Sequence, residues 1–277
     1  MQNNTKHRIL IFGATGFLGD AIYKELNAYY KTFGTYRMET RALQKNQHLF
    51  HFNVEEDDAL EIIEVVKPSI IISAMRGEFG AQIVAHLHMI DYVKENDCKL
   101  IFLSSANVFD AYSQFPSHEN DKTLSLSKYG YFKIKIENKL LRLPKKKYVI
   151  IRLPMVFGKQ SPRIKEIKTF YKEKLPIETF PNLIMNVATD SKITQQIHYM
   201  INRNKTGIYH IGSTDLVHHE DFIKEITKLL GFENPIFKRV YTTNNDRYLA
   251  VLPKDNILPK HLQFTSQYIL DELKPNL

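Results

Sequence analysis

Three residues of this chain have the types and the spacing needed to move a proton to or from an oxygen atom. Ser105 follows an apolar run in IFLSSANVF, and Tyr129 and Lys133 lie four residues apart in SKYGYFKIKIE. On a helix, residues four apart share a face, so the lysine ammonium would lower the pKa of the phenol from its usual value of about 10. Such a tyrosine can serve as acid or base for a carbonyl or an alcohol, and a serine hydroxyl can hydrogen-bond the same oxygen.

A second pair of the same kind overlaps the first. Tyr131 and Lys135 are also four residues apart, and positions 129 and 131 point to different faces of a helix. Only one of the two pairs can face a site. The residues alone therefore leave the choice between the pairs open.

Three glycines near the amino terminus have the spacing of a phosphate-binding turn. In ILIFGATGFLG, Gly13 allows a tight turn after an apolar strand, Gly16 lets backbone amides approach a pyrophosphate, and Gly19 lets the next helix pack closely. The amino terminus of that helix offers free N–H groups and the positive end of a dipole to phosphates. A secretory signal fits poorly, because the glycines interrupt its apolar run. A glycine-rich turn without a ligand remains the alternative.

The end of the second strand should select the cofactor, because an acidic residue there binds the ribose 2′-hydroxyl and an arginine accommodates a 2′-phosphate. The segment reads TFGTYRMETR, with Arg37 in the place of the acid and Arg41 one helical turn further on. This predicts NADP(H) rather than NAD(H). Glu39 leaves NAD(H) open, and ordinary surface arginines are the other interpretation.

Apolar segments rich in β-branched and aromatic residues alternate with segments of helical periodicity. The strand-like segments are 8–12, 32–36, 48–52, 69–73, 99–103 and 148–153, and the helical ones are 18–29, 59–66, 81–94 and 128–141. This alternation predicts right-handed βαβ units and an α/β fold with a doubly wound parallel sheet, as in the Rossmann fold. Ligands bind such sheets beyond the carboxyl ends of the strands.

The regular alternation ends after Gly158. We expect residues 1–157 to form an NADP-binding Rossmann domain, to which residues 186–204 return. Residues 158–277 should form mainly a smaller carboxyl-terminal lobe that binds the substrate. The clearest late patterns are helices over 191–201 and 220–230 and the strand-like GIYHIG at 207–212.

The composition excludes several other classes of protein. The net charge of +8, from 38 basic and 30 acidic residues, favours anionic partners, but the basic residues are spread along the chain. Phosphorylated small molecules are therefore preferred to nucleic acid. No apolar run approaches the roughly 18 residues that cross a membrane. The single cysteine, Cys98, fits a reducing compartment, so we expect a cytoplasmic protein that binds no membrane.

Five short segments carry a resemblance to a known family. They are GATGFLG, LSSANVF, YGYFKIKIE, IRLPMVFG and GIYHIG. In content and order they resemble the cofactor motif, the catalytic serine or threonine segment, the Y-G-x-x-K-x-x-x-E motif, the nicotinamide-end segment and a late strand of the extended short-chain dehydrogenase/reductase superfamily. The most similar branch is the dTDP-4-dehydrorhamnose reductase-like (RmlD-like, sugar nucleotide-binding) family. The resemblance selects Tyr129, Lys133 and Glu137 over the competing pair.

The resemblance implies an NADP(H)-dependent reductase of a carbonyl group, in a nucleotide-linked sugar. Tyr129 would donate the proton, Lys133 would hold the nicotinamide ribose, and Ser105 would polarise the carbonyl. An epimerase of the same superfamily and a non-catalytic NADP-binding regulatory subunit remain as alternatives. Members of this superfamily commonly form homodimers through helices that correspond to 81–94 and 128–141.

The binding residues implied by the resemblance lie mainly in the turns that follow the strands. For the cofactor they are Gly13, Thr15, Gly16, Phe17, Leu18, Gly19, Tyr36, Arg37, Arg41, Asn53, Val54, Ser73, Ala74, Met75, Lys133, Leu153, Pro154 and Val156. For the substrate they are Arg76, Ser105, Ala106, Asn107, Lys159 and Arg163. We expect no metal, because His86 and His88 face different directions on a predicted helix.

Several segments depart from the family pattern. The chain reads Ser-Ala-Asn at residues 105–107 where the reductases usually have T-D-Y, and SAMRGEFG where they usually have N-A-A-A. We expect Arg76 and Glu78 to face the substrate region, so the substrate can differ from dTDP-4-dehydrorhamnose. Lys159 and Arg163 are predicted in a loop over the active site, where they would bind an acidic group of the substrate such as a nucleotide diphosphate; a solvated loop without a ligand is the alternative. We place His218 and His219 at the surface.

Overall fold

Short strands alternate with longer helices in the computed structural model, which describes residues 7–38, 46–242 and 244–274. The strands are β1 (Arg8–Phe12), β2 (Lys31–Tyr36), β3 (Leu49–His51), β4 (Ile70–Ser73), β5 (Lys99–Ser105), β6 (Tyr148–Leu153), β7 (Met155–Phe157), β8 (Ile177–Thr179), β9 (Leu183–Met185), β10 (Val187–Thr189), β11 (Gly207–His210), β12 (Val217–His218), β13 (Phe237–Arg239) and β14 (Arg247–Leu249). The helices are α1 (Phe17–Asn27), α2 (Ala59–Val66), α3 (Phe79–Glu95), α4 (Lys128–Leu140), α5 (Pro162–Lys172), α6 (Asp190–Asn202), α7 (His219–Leu229) and α8 (Ser266–Leu273).

Seven of the strands form one sheet, in the order β11-β6-β5-β4-β1-β2-β3. The pairings of β1 with β2 and β4, of β2 with β3, and of β4 with β5 are parallel. The predicted doubly wound parallel sheet is thereby confirmed. The strand order reverses between β1 and β4, and ligands of such sheets bind beside this switch point.

The central strands are apolar along their whole length because helices cover both faces of the sheet. Ile9, Leu10, Ile11 and Phe12 of β1 have no exposed surface. Leu10 and Phe12 pack in one core with Ile63 of α2, among other buried residues of this cluster. Burial of each large aliphatic side chain contributes about 1.5–3 kcal/mol, so this core holds the turns at the sheet edge in place.

Polar side chains mark where several helices begin. The Asp58 carboxylate accepts the N–H of Leu60 at the start of α2, and the Ser161 hydroxyl accepts the N–H of Ile164 at the start of α5. Such caps satisfy N–H groups that have no partner within the helix. Pro162 then occupies the first turn of α5, where its missing N–H costs nothing.

The chain divides into two compact units. The first contains the described residues up to Ser104 together with Tyr131–Ile151 and Thr194–Ile208. The second contains Ser105–Gly130, Arg152–Ile193 and the described residues from Tyr209 onwards. The domain boundaries expected from the sequence stay a prediction.

The second unit contains three small sheets. β7 pairs with β10 and β8 with β13, both in parallel, while β9 lies between β12 and β14. Ser117 forms a further parallel bridge with Val251. Within the described ranges, no helix is long and apolar enough to cross a membrane.

Candidate active site

The glycine turn follows β1 and packs directly on the segment after β4. Gly13 has a φ of +84°, and a Cβ there would lie 2.8 Å from the carbonyl oxygen of Ala74 and from Cα of Met75. Its N–H donates to the Thr35 hydroxyl at 2.9 Å. Both the left-handed backbone and the lack of space require glycine at this position.

The other two glycines have different surroundings. A Cβ at Gly19 would lie 2.0 Å from the Gly13 carbonyl oxygen, so Gly19 brings α1 against the turn. A Cβ at Gly16 would meet only that oxygen, at 3.3 Å. Gly16 is exposed at the amino end of α1, which no side chain caps. Space and free N–H groups at a helix start fit a phosphate, with Thr15, Phe17 and Leu18 around it.

The ends of β2 and β3 add residues along the same edge of the sheet in the first unit. Arg37 follows β2, with its side chain 59% exposed and 3.9 Å from the Glu55 carboxylate. Tyr36 and Val54 are buried and Asn53 is half-buried, as expected for residues that line a bound ligand or support the turn. Arg41 lies outside the described residues.

A buried histidine holds the serine at the end of β4. His86 Nδ1 contacts the Gln82 carbonyl oxygen at 2.6 Å, so Nδ1 carries the proton and Nε2 accepts from the Ser73 hydroxyl at 2.8 Å. Burial lowers the pKa of His86 to about 3, and the positive charge of Lys133 opposes protonation further. His86 is therefore a neutral side chain that orients Ser73, which the sequence analysis missed.

Arg76 and Glu78 follow β4 and differ in role. Arg76 is exposed, close enough to Lys133 to disfavour its protonation. Glu78 caps α3 by accepting the N–H of Ala81 at 2.7 Å, and hydrogen bonds from backbone N–H groups lower the pKa of Glu78. The Glu78 carboxylate thus holds the start of α3, and its position at the substrate region stays a prediction.

Lys133 is a buried ammonium group on α4. It is 8% exposed, donates to the Leu103 carbonyl oxygen at 2.9 Å and lies 4.6 Å from the centre of the Phe102 ring. Burial lowers the pKa of Lys133 to about 8, the nearby Glu137 carboxylate opposes this shift, and Arg76 adds to it. Glu137, also buried, accepts a hydrogen bond from the Ser104 hydroxyl at 2.5 Å.

The two tyrosine–lysine pairs of α4 differ in burial. Lys135 is exposed and lies over the Tyr131 ring, 4.8 Å from its centre, and Tyr131 is 56% exposed. Lys133 is buried against β5, and Tyr129 is one helical turn before it on the same helix. The pair selected by the resemblance is therefore the pair whose lysine faces inward.

In the second unit, Ser105 directly precedes the 3₁₀ turn Ala106–Phe109, which we call the catalytic turn after the role expected of Ser105. Its hydroxyl accepts the N–H of Asn107 at 3.2 Å and donates to the Asn107 side-chain oxygen at 3.0 Å. Asn107 is half-buried, whereas Ala106 is 3% exposed. A small hydroxyl and an amide thus stand together directly after β5.

The start of α4 is tied to this turn. A Cβ at Gly130 would lie 2.2 Å from the Asn107 carbonyl oxygen, so the helix approaches the turn as closely as a glycine allows. Asp110, directly after the turn, accepts the N–H of Leu126 and the hydroxyl of Ser127. These contacts set where Tyr129 stands, and its ring is 41% exposed.

The end of β6 and the segment that follows it carry three expected cofactor residues. Leu153 and Pro154 are buried, and Val156 lies in β7 opposite Ala188 of β10. A Cβ at Gly212 would lie 2.9 Å from the Pro154 ring. This segment is thus fixed by packing inside the second unit.

Arg163 was predicted in a loop, and this was wrong, because Ser161 and Pro162 start α5 before it. Arg163 lines a cavity of about 510 Å³ whose other walls include Phe170, Phe180 and His219.

His219 was predicted at the surface and is instead 4% exposed. Burial and the Arg163 charge lower the pKa of His219 to about 4. Lys159 is exposed in the loop before α5, and His218 is exposed.

No group of three metal-binding side chains occurs in the part of the chain that the structure describes. His88 contacts Asp58 at 2.8 Å, on α2. The buried histidines, His86, His210 and His219, lie in separate hydrogen-bonding environments.

Comparison with known proteins gives one matching family model. The family is described as the RmlD substrate binding domain, and the match covers residues 7–256. Among curated proteins, the methionine adenosyltransferase 2 subunit beta of Danio rerio is 28% identical over 163 residues, which are 54% of this chain. The match spans about half, 48%, of that relative's length.

Solved structures share the fold of the whole chain. A dTDP-4-dehydrorhamnose reductase of Bacillus anthracis, crystallised with NADP, matches with a TM-score of 0.77 and 19% identity over 98% of both chains. The enzyme WbmH of Bordetella bronchiseptica, crystallised with NAD+, matches with a TM-score of 0.74 and 16% identity over 90% of this chain and 89% of its own. At these identities the matches show a common fold.

Proposed function

The chain belongs to the RmlD substrate binding domain family, and on this premise we propose that it is an NADP(H)-dependent oxidoreductase that reduces a carbonyl group in a nucleotide-linked sugar. The observation that carries the proposal is the pairing on α4 of an accessible phenol, Tyr129, with a buried ammonium group, Lys133, one turn later. This arrangement supplies a proton donor that a substrate can reach and a positive charge that stabilises its anionic form.

The glycine turn supports a dinucleotide as the cofactor. Gly16 has room for a phosphate, the start of α1 is uncapped, and Gly13 and Gly19 hold the turn against the sheet. Among the described residues, the ion pair of Arg37 with Glu55 is long and exposed and is worth little, so the guanidinium can bind a 2′-phosphate. Both dinucleotide-bound structures named above share this fold.

When bound, NADPH would supply the hydride that reduces the carbonyl carbon. Tyr129 gives its hydroxyl proton to the carbonyl oxygen, which becomes an alcohol, and regains a proton from solvent through its exposed side. Lys133, fixed by the Leu103 carbonyl, would supply a positive charge that favours the anionic form of the phenol. Ser105 and Asn107 offer a hydroxyl and an amide to the same oxygen.

Two features support a nucleotide-linked substrate. Arg163 lies in a cavity with aromatic walls, a setting suited to a planar, anionic ligand. Lys159 lies exposed four residues before it, in the loop that leads to α5. The solved reductases act on a nucleotide-linked sugar by their names.

A second candidate function is a non-catalytic NADP-binding subunit. The observation that favours it is the similarity to a protein named as a subunit of methionine adenosyltransferase. The residues at 105–107 also differ from the usual reductase triplet. Capture of a stoichiometric partner, without turnover of any nucleotide-linked keto sugar, would favour this role.

The test is net oxidation of NADPH in the presence of nucleotide-linked keto sugars, starting with dTDP-4-dehydrorhamnose. We expect Tyr129→Phe to lower kcat by about 10²–10⁴-fold, the usual contribution of a general acid. Tyr131→Phe, which alters the competing tyrosine on the same helix, should leave kcat unchanged. Full turnover by Tyr129→Phe would refute the assignment, and turnover without net NADPH oxidation would indicate an epimerase.

A further inference from the structure

A buried arginine lies next to the catalytic turn, away from every contact described so far. Arg152 of β6 is 2% exposed. A buried guanidinium is costly unless its N–H groups are hydrogen-bonded and its charge is compensated. The contacts of Arg152 therefore indicate which part of the structure the buried guanidinium stabilises.

Three residues surround Arg152, and we name them with it the Arg152 cluster: Arg152, Glu119, His210 and Phe109. One guanidinium nitrogen lies 3.0 Å from the Glu119 carbonyl oxygen and 3.3 Å from His210 Nε2. The guanidinium carbon lies 4.8 Å from the centre of the Phe109 ring. Cation–π contacts of this kind gain strength when they are removed from water.

His210 and Glu119 each form further hydrogen bonds, which hold them in place. His210 Nδ1 faces the Leu252 carbonyl oxygen at 3.2 Å, so Nδ1 carries the proton and Nε2 is free to accept from Arg152. The Glu119 carboxylate accepts the backbone N–H groups of Lys254 and Asn256 at 2.9 and 3.2 Å. Burial, with the Arg152 charge, lowers the pKa of His210 to about 4, which keeps the ring neutral.

Phe109 links this cluster to the candidate chemistry. It is the last residue of the catalytic turn, two residues after Asn107 and four after Ser105. Its ring is 2% exposed and also meets the His210 ring edge-on, with 5.8 Å between the centres. The guanidinium and the imidazole thus hold one end of a four-residue turn, and the other end carries the Ser105 hydroxyl.

We propose that Arg152 is a positioning residue, which acts through Phe109 to fix the catalytic turn and with it the Ser105 hydroxyl and the Asn107 amide. Glu119 and His210 in turn fix the plane of the guanidinium. The consequence for catalysis rests on the proposed function. The structural part, the order of the turn, does not depend on it.

Hydrogen–deuterium exchange of the full chain tests the structural part without any substrate. Arg152→Lys keeps the positive charge but removes the planar guanidinium, with its several N–H donors and the flat face that lies over the Phe109 ring. We expect Arg152→Lys and Phe109→Leu to increase exchange in peptides covering residues 105–112 by about tenfold or more, equivalent to about 1.4 kcal/mol of local stability. Arg239→Lys, which alters another arginine of the same unit paired with Glu220, is the matched control and should leave these peptides unchanged.

Unchanged exchange in the turn would overturn the proposal, and so would an equal increase in every peptide of the protein, which indicates general destabilisation.

Where turnover is measurable, Arg152→Lys should lower kcat by about 10–100-fold, since small displacements of catalytic groups have effects of this size. The Kd for NADPH should stay the same. The double variant with Phe109→Leu should be no slower than the worse single variant, because both changes break one contact. Failure of all turnover, with the exchange result intact, would refute the proposed function alone.

Discussion

Lys133 is buried and positively charged, so its contribution to the free energy of unfolding depends on pH. The pKa of Lys133 is lowered from 10.5 to about 8, mainly by burial. Between these two pH values the folded protein binds fewer protons than the unfolded chain, so this group makes the free energy of unfolding rise with pH. Below pH 8 the cost of the buried charge is fully present. A lysine kept in place at such a cost is consistent with a functional role.

The same shift predicts a pH dependence of catalysis. If the positive charge of Lys133 assists Tyr129, kcat/KM should fall as the pH rises through about 8, where Lys133 loses its proton in the enzyme without ligands. The measurement is kcat/KM for NADPH oxidation at saturating keto sugar from pH 6 to 10. Lys135→Met should retain this profile, whereas Lys133→Met should lose most activity at every pH. A flat profile through this range would contradict the role given to Lys133.

The choice between the two tyrosine–lysine pairs shows how far residue patterns reach. Both pairs have the spacing of a shared helix face, so periodicity cannot separate them. Lys133 is distinguished by the Phe102 ring and the Leu103 carbonyl, which β5 brings from thirty residues earlier. The resemblance to a family supplied that information, and local spacing did not.

At the scale of elements, the glycines between β1 and α1 have two different roles. One is needed for packing, and the other leaves room for a ligand. Gly19 touches the backbone of Gly13, whereas Gly16 faces open space apart from one carbonyl oxygen. A methyl group at position 19 would push α1 from the turn. A methyl group at position 16 would mainly occupy the space where a phosphate is proposed.

We therefore expect Gly16→Ala and Gly19→Ala to differ. Gly16→Ala should weaken NADPH binding by about tenfold or more, and it should lower the stability by no more than about 1 kcal/mol, the preference of an N-cap for glycine over alanine. Gly19→Ala should also destabilise the protein by about 1–3 kcal/mol through overpacking. Calorimetric titration and thermal unfolding of both variants measure the two effects. A Gly16→Ala protein that binds NADPH as the wild type does would exclude a phosphate at this turn.

The elements of the sheet could be predicted from the sequence because their signals are local. The continuous apolar strands and the periodic helices lie within a few residues of their predicted bounds, as for β1, β6 and α2. The errors arose where a boundary depends on capping. Ser161 and Pro162 begin α5 early enough to place Arg163 in a helix rather than in the predicted loop.

At the scale of the whole molecule, contacts between distant segments could not be predicted. Arg152 entered the sequence analysis only as the arginine of IRLPMVFG, and its partners come from residues 109, 119 and 210. His219 was placed at the surface because its burial depends on α5 and β8, which lie about 40 to 57 residues earlier. The homodimer expected from the resemblance stays a prediction for this chain.

The central claim is that this protein is built to bind NADP(H), and one titration tests it most directly. Purified protein is titrated with NADPH and with NADH by calorimetry, together with Arg37→Ala. We predict that NADPH binds about 10–100-fold more tightly than NADH, because Arg37 forms a charge-assisted contact with the 2′-phosphate. Arg37→Ala should remove this difference in affinity. Binding of neither dinucleotide would contradict the account, because the glycine turn would then have no ligand and the proposed reduction no source of hydride.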